Sequence, residues 1–574
     1  MSGDPLALEQ LRIHDSLMSK YRAERADDHQ IIAQYALPQD SNITTTKTES
    51  VSGWTDLIFD TTTIQAMETL ASGLFNWWTP PNQGWAELES PEELKANNDA
   101  DEATNWLGKC SDSMMKELGR SNFYMTKATG DLGLSVFATD AILVDESDSG
   151  TELFNFIHCK IGTYTIEENY KGIVDTLRRE IKMTYRQICQ KFGKDTDTIP
   201  EAMEKASKGE KGNQKEFKIL HCIFPREDSK RIKGAKDGKN KAYASVYLSI
   251  DFKETMRVSG YDECPILCRR FKKWATVWGY GPAYLALPDS RQVNYVQQYL
   301  DASAELHVNP RIITPEAIDG DVDLRPGGET VVPDNETKPE EWGTVSEYKL
   351  GLEMQEQRRK AIRDACFNDA FKLLNSQPLL DKDMTAYEIS QRLAEQLQNM
   401  TAIDARMVME FINPCIHRVF AIMYSAGKFG QAPKALMQDL GAGKKGLVQP
   451  EVVVTSRFND ALRALKNRAA EETIKFVLPI TEQNKPELWD VFDLEAILRE
   501  YARNAGIAPD SLRKLTGANS VQAIRDARQK LIQQQRALAS TEQLGKAGKA
   551  LGGAPDFIQD QVKDALNKQG KKAA

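Results

Sequence analysis

A chain of 574 residues, 41% hydrophobic and 27% charged, has the balance of a globular protein long enough to form several cores. No run approaches the roughly 18 apolar residues that a membrane-spanning helix needs, and Met1-Ser2-Gly3-Asp4-Pro5 lacks the basic-then-apolar pattern of a secretory signal, so a cytosolic origin is expected. A formal net charge of −9 argues against a strongly basic face that grips nucleic acid, and is more compatible with a surface along which a polyanion slides.

Leu6 to Tyr35 reads as a polar helix with Leu8, Leu11, Leu17 and Tyr21 spaced along it, ended by Pro38. Trp54 to Trp78 reads as an amphipathic helix on which Ile64, Met67, Leu70, Ala71 and Leu74 recur at three- and four-residue spacing, and Thr79-Pro80-Pro81 stops it. Asp101 to Leu118 is a further helix, followed by a helical segment opened by Ser121-Asn122-Phe123-Tyr124. Phe137 to Val144 and Phe154 to Ile166 are β-prone, and His158 is expected to be a hydrogen-bonded strand residue rather than a catalyst. Arg178 to Thr184 is a strand leading into a helix containing Ile188 and Phe192, with Thr184 as its cap. The lysine-rich stretches Glu201–Lys218 and Lys230–Lys241 carry too few aromatics to stack on bases and read as solvated loops around the strands Ile219–Phe224 and Ala242–Phe252. Trp278-Gly279-Tyr280-Gly281-Pro282 then forms a rigid approach to the centre of the chain.

That centre runs from Leu285 to Met423. A helix is expected from Asp289, as N-cap after Pro288, to Leu306, with Val293, Val296, Leu300 and Ala304 on one face and a length of roughly 25–30 Å. The insert from Val308 to Gly343 is punctuated by Asn309-Pro310, Asp319-Gly320, Arg325-Pro326-Gly327-Gly328 and Val332-Pro333-Asp334, and reads as a small strand-and-turn module. A return helix from Thr344 to Leu374 has its apolar residues at the two ends and Gln355-Glu356-Gln357-Arg358-Arg359-Lys360 in the middle, so it has little to bury without neighbouring copies. Asn375 to Asp383, with Pro378, is a loop. From Thr385 the spacing of Ile389, Leu393, Leu397, Met400, Ile403, Met407 and Phe411 predicts one long helix, which Pro414 should kink before it ends at Gly427. Beyond it come a strand at Val452–Arg457, helices at Asp460–Val477, Leu488–Ala505 and Ser520–Leu538, and a tail rich in Gly, Ala, Lys and Gln.

Little in this pattern points to catalysis. The eight cysteines show no paired CxxC spacing, and Cys264 and Cys268, with His221 and Cys222 elsewhere, read as buried thiols rather than as a metal site. Gly441-Ala442-Gly443-Lys444-Lys445-Gly446 fails as a phosphate loop on glycine spacing, on the absence of a Ser or Thr after the lysine, and on the absence of a preceding strand. No catalytic residue, metal or cofactor is expected.

The order of helix, strand-and-turn insert, return helix, loop and long kinked helix resembles the portal, or head-to-tail connector, proteins of short-tailed bacteriophages over most of the chain. Met384-Thr385-Ala386-Tyr387-Glu388-Ile389 is similar to that family's start of the long helix, and Ala71-Ser72-Gly73-Leu74, Thr79-Pro80-Pro81 and Trp85 to its N-terminal signature. Trp278-Gly279-Tyr280-Gly281-Pro282 is a looser match to a Tyr-Gly-x-Gly-Pro approach. The resemblance implies an α+β, mainly helical fold: an N-terminal wing over 1–288, a first stem helix over 289–307, a clip over 308–343 and a second stem helix over 344–374. A tunnel loop would follow over 375–384, the long kinked helix and C-terminal wing over 385–515, and a crown or tail over 516–574.

What the resemblance implies for function is a ring of copies, twelve in the family, around a central channel at one capsid vertex. Double-stranded DNA would be packaged and ejected through it. The implied partners are other copies of the chain, a packaging ATPase (terminase), scaffold and capsid proteins, and tail adaptor proteins, with no membrane. The chain would be a virion component assembled in the host bacterial cytoplasm. Pro378, Asp381, Lys382 and Asp383 would form the tunnel loop, with Lys382 touching phosphate transiently. Arg291, Glu353, Glu356, Arg358, Arg359 and Lys360 would face the channel or a neighbouring subunit. The competing reading is a non-viral helical scaffold or binding protein without catalytic activity, and ring stoichiometry separates the two.

Overall fold

The computed structural model describes residues 4–40, 58–91, 100–147, 152–193, 199–208, 212–227, 237–308, 348–368, 400–439 and 445–455, with short pieces at 42–43, within 311–341, and at 497–498, 501 and 523–535. The architecture is mixed helix and strand. Two units divide the chain after Asp460. In the second, 523–535 form a largely exposed helix inside the expected Ser520–Leu538.

The first unit opens with α1 (Pro5–Tyr21), where Asp4 accepts a hydrogen bond from the Leu6 amide at 3.2 Å and Pro5 occupies the first turn, both ordinary helix-starting devices. The single helix expected to Tyr35 is interrupted by a π-turn at Arg22–Ala26 and resumes as α2 (Asp27–Ala36). Helix α3 (Thr62–Trp78) begins later than the predicted Trp54, because residues 58–61 lie outside it and the Asp60 carboxylate accepts from the Thr62 amide at 2.8 Å. Its buried face carries Met67, Leu70, Ala71, Leu74 and Trp78, the predicted stripe extended by one turn but without Ile64, which is half-buried. Strand β1 (Ala86–Glu89) and helices α4 (Ala100–Arg120) and α5 (Phe123–Phe137) follow.

Two antiparallel sheets come next. β2 (Thr139–Glu146) lies between β3 (Phe154–Cys159) and β9 (Ile266–Arg270) in a three-stranded sheet, while β4 (Tyr164–Glu168), β5 (Val174–Thr184), β6 (Glu216–Pro225), β7 (Tyr243–Ser249) and β8 (Glu254–Tyr261) form a five-stranded meander. The expected single strand region Phe154–Ile166 is therefore two strands in two sheets, parted at a turn where Gly162 has φ 83°. Thr184 caps α6 (Tyr185–Phe192) in a reciprocal box with Gln187, as its sequence position implied. The stretch from Glu201, expected as a loop, instead begins with a short helix α7 (Glu201–Ala206), because Met203 packs with Ile188, Phe192, Phe217 and Ile219. The opposite face of the meander is covered by α1, through Ala7 and Leu11 against Leu220, Cys222, Val246 and Leu248. The alternation of Phe217 and Ile219 with Leu220 and Cys222 along β6 is the period-two pattern of a strand buried on both faces.

The glycines of the Trp-Gly-Tyr-Gly-Pro approach are dictated by a turn distant in sequence. Helix α5 ends at Ala138, whose φ of 57° is left-handed, and a Cβ on Gly279 would stand 2.0 Å from the Ala138 carbonyl oxygen. A Cβ on Gly281 would stand 2.7 Å from that of Ala138. The short strands β10 (Lys272–Lys273) and β11 (Gly279–Tyr280) lead from this packing into α8 (Pro282–Val308). The helix thus starts at Pro282 and passes through Pro288, so Asp289 is an interior residue and not its cap. Burial of Ala283, Ala286, Ser290 and Val293 on both sides of Pro288 holds the helix there despite the missing amide donor. At 27 residues it is about 40 Å long.

Within the insert, β12 (Ile312–Ile313) pairs antiparallel with β13 (Glu340–Glu341), joining its two ends. The return helix α9 (Tyr348–Ala365) is broken at Cys366–Phe367, where Phe367 adopts a left-handed φ of 56°; Asn368 is again helical, and the expected end at Leu374 lies outside the described residues. Residues 400–407 form helix α10, which passes through a π-turn at Val408–Ile412 into α11 (Asn413–Ser425). Where a proline kink was expected, a π-turn stands directly before Pro414, and the helix continues through it into α11. A hairpin of β14 (Met437–Asp439) and β15 (Lys445–Leu447) precedes β16 (Glu451–Val454), which pairs with β1. The starts of the long helix at Met384–Ile389 and the predicted helices at Asp460–Val477 and most of Leu488–Ala505 lie outside the described residues.

Candidate functional site: the helical hairpin and its anchor

Helices α8 and α9 pack as a hairpin. The contact is close at Gly351, where a Cβ would lie 2.8 Å from Leu300 Cδ2. Gln355, buried in the hairpin, donates to the side-chain oxygen of Gln297. A polar clamp fastens the base to the start of α3: Asn294 Oδ1 accepts from the amides of Phe59 at 2.7 Å and Asp60 at 3.0 Å, and Thr63 donates to Ser290 at 2.7 Å.

The charged residues nominated from sequence fall into two groups. Arg359 pairs with the buried Asp60 at 2.7 Å, Arg358 with Asp289 at 2.8 Å, and Glu356 receives Arg363 at 3.1 Å, so these are engaged within the chain. Arg291, Glu353 and Lys360 are exposed and form no ion pair with a described residue. Pro378, Asp381, Lys382 and Asp383 lie outside the described residues.

The hairpin also carries exposed apolar side chains. Tyr295 and Tyr299 meet edge to face with ring centroids 4.6 Å and hydroxyls 3.0 Å apart, yet are 58% and 57% exposed. Leu306 lies on the same stripe two turns on, and Leu352 and Met354 are exposed on α9.

Sequence reasoning missed the anchor beneath the hairpin. Adjacent arginines of β9 are both buried and point in opposite directions, as a strand requires. Arg269 pairs with Asp131 and, at 2.8 Å, with Asp140; Lys127 pairs with Asp131 at 2.6 Å, and His158 with Asp140 at 2.9 Å. Arg269 and Lys127 also lie over the ring of Phe411, at 4.7 and 5.4 Å. Burial drives the Lys127 ammonium down to about 8 against the pull of Asp131. Burial pushes the Asp140 carboxyl up, but Arg269 and His158 outweigh it and hold the group below its ordinary range. Arg270 reaches the other way, to Glu410 of the π-turn at 2.6 Å, to Glu168, and to the carbonyl of Gly172 at 3.0 Å. It thereby joins the three-stranded sheet, the tip of the β4–β5 hairpin and the π-turn between α10 and α11. The available signal was two arginines in the apolar run Ile266-Leu267-Cys268, since charges in a buried strand need partners.

His221 and Cys222 lie on the five-stranded sheet and Cys268 on the three-stranded one; His221 is buried between Arg179 and the hydroxyl of Ser245. Among the described residues no three His, Cys, Asp or Glu side chains gather as a metal site.

Comparison with known proteins bears on most of the chain. The portal protein of Salmonella phage epsilon15 is 26% identical over 506 residues, covering 86% of each chain. The probable portal protein of Bordetella phage BPP-1 is 27% identical over 497 residues, covering 84% of this chain and 83% of that one. A chain from the virion of a native gene transfer agent particle superposes with a TM-score of 0.32 at 10% identity, covering 77% of this chain and 94% of that one. Residues 11–512 match the family model of the bacteriophage head to tail connecting protein, and the chain belongs to that family.

Proposed function

We propose that copies of this phage portal chain close into a ring around a channel for double-stranded DNA, at one vertex of the capsid, and that the chain acts structurally, without catalysis. The observation that carries the reading is the stripe of Tyr295, Tyr299 and Leu306 on α8, apolar and exposed, with Leu352 and Met354 also exposed on α9, on helices whose base is clamped to the body. A cyclic head-to-tail interface buries such a face in every copy and leaves no open end. Twelve copies, a tunnel loop of Pro378, Asp381, Lys382 and Asp383 lining the channel, and a clip that docks a packaging ATPase and then tail adaptors complete the proposal. One lysine per copy in that loop gives a weak, sequence-blind phosphate contact.

Deletion of Pro378–Asp383 tests it. The expected result is intact rings that fail to package or retain DNA. Loss of assembly on deletion would make the loop a structural element and remove it from the channel.

A further inference from the structure

The charge of the chain is unevenly distributed. The five-stranded module, residues 164–261, holds twenty-one Lys and Arg against fifteen Asp and Glu, a net of +6, so the rest of the chain carries −15 of the total −9. Fifteen of those cations are lysines. Three of the six arginines are committed internally: Arg178 to Gln10 and Glu167, Arg179 to His221, and Arg226 to the carbonyls of Gly238, Lys241 and Ser259.

At one end of the sheet the lysines are placed against one another. Lys182 of β5 and Lys218 of β6 stand directly opposite in the antiparallel register, both exposed, and neither forms an ion pair with a described residue. Like charges facing across strands are destabilising, and a solvated loop does not require that arrangement. Lys215, Lys253 and Arg186 are exposed at the same end, as are the acids Glu216, Asp251 and Glu254, while Glu180, which pairs with His14 at 3.0 Å, lies within the electrostatic reach of Lys218. Asp251 is itself occupied by the Lys218 amide at 3.1 Å.

We propose that this lysine-rich end of the five-stranded module, centred on Lys182 and Lys218, binds the phosphate backbone of duplex DNA without reading its sequence, as a contact separate from the channel. Two features favour this ligand over an acidic protein surface. Lysine is depleted at protein–protein interfaces, where arginine and aromatics take its place, whereas a phosphate backbone needs only positive charge. The scarcity of exposed aromatics at this end suits a stacked duplex, whose bases are not available, and not a single strand. The inference takes its ligand from the portal reading, but its residues lie on a different module from the hairpin.

The test uses the full-length protein and a relaxed, covalently closed circular duplex, which cannot thread a ring. Binding is followed by gel shift across a salt series, with electron microscopy of the same preparations. The expected result for Lys182→Gln with Lys218→Gln is an affinity at least roughly tenfold lower and a log–log salt slope shallower by about 1.8. Its melting temperature should equal or exceed that of the parent, because the facing charges are gone. The Lys182→Arg, Lys218→Arg pair should retain both affinity and slope. Binding unchanged in the glutamine pair, or lost equally in the arginine pair, overturns the proposal. So does a parent protein that ignores the closed duplex but binds polyglutamate, which would mark an acidic protein partner. Intact rings in any of these cases leave the conduit reading standing, whereas missing rings count against that reading alone.

Discussion

Gly279 approaches Ala138 so closely that a methyl group on it would sit 2.0 Å from the Ala138 carbonyl oxygen, an oxygen that already accepts the Phe271 amide at 2.9 Å. The Gly279 amide in turn donates to Thr139 Oγ1 at 2.7 Å. Two backbone segments about 140 residues apart are thus locked at the point where the chain enters the hairpin. Gly279→Ala should cost about 2–4 kcal/mol of stability, since backbone and not a flexible side chain must yield. Ala138→Gly should be neutral or stabilise by up to about 1 kcal/mol, because glycine adopts the left-handed conformation without strain. Urea unfolding of the two variants checks both signs.

His29 is fully buried, its Nδ1 hydrogen-bonded with the Tyr21 hydroxyl at 2.9 Å and its ring packed against Phe137, Trp278 and Tyr284. Burial, with a smaller contribution from Arg25, drives its pKa down to about 3. The unfolded chain takes up a proton near pH 6.5 and the folded chain does not, so stability should fall as pH drops from about 6.5 toward 3, by up to about 4 kcal/mol. In His29→Phe the slope of stability against pH over that window should be smaller by about one proton. An unchanged slope would show that His29 titrates alike in both states.

Asp140 contributes in the same direction at lower pH. Its folded pKa lies below the ordinary value of 3.8, so its stabilisation is present above that value and is lost as pH falls through the folded one. Asp140→Asn should destabilise at neutral pH by about 3–5 kcal/mol, leaving Arg269 short of a buried partner, and should narrow the gap from the parent below pH 4. Stability curves at pH 7 and pH 3.5 distinguish this from loss of packing alone, which would be independent of pH.

Tyr295 and Tyr299 are exposed in the single chain, so Tyr295→Glu with Tyr299→Glu should leave its unfolding free energy within about 0.5 kcal/mol of the parent. The same pair should abolish rings, because two carboxylates would be buried without partners at the interface. A gel-filtration profile with circular dichroism on each fraction reads the two effects separately.

How far the sequence foretold these features depends on the range of the interactions involved. Local signals read correctly: the Thr184 cap, the stripe of Met67, Leu70 and Leu74, and the strand at Ile219–Phe224 each depend on neighbours a few residues away. Element starts read from a single residue were displaced. Pro288 looked like a helix start, but burial on either side carries α8 through it, and Trp54 to Thr61 had helical spacing without being helix where the chain is described. The pairing of Arg269 with Asp131 and Asp140 spans 138 and 129 residues, and no spacing rule links positions so far apart. Arg358 and Arg359 were nominated for the channel or a neighbouring subunit, and their partners within the chain, Asp289 and Asp60, were not foreseen.

The ring is the central claim, and native mass spectrometry of the purified full-length protein, combined with electron microscopy of the same sample, tests it most directly. The account predicts closed particles of about twelve copies with a central hole, formed through the exposed hairpin face. A stable monomer or dimer, persisting in the presence of capsid scaffold, would contradict it and favour a scaffold or binding protein that does not enclose DNA.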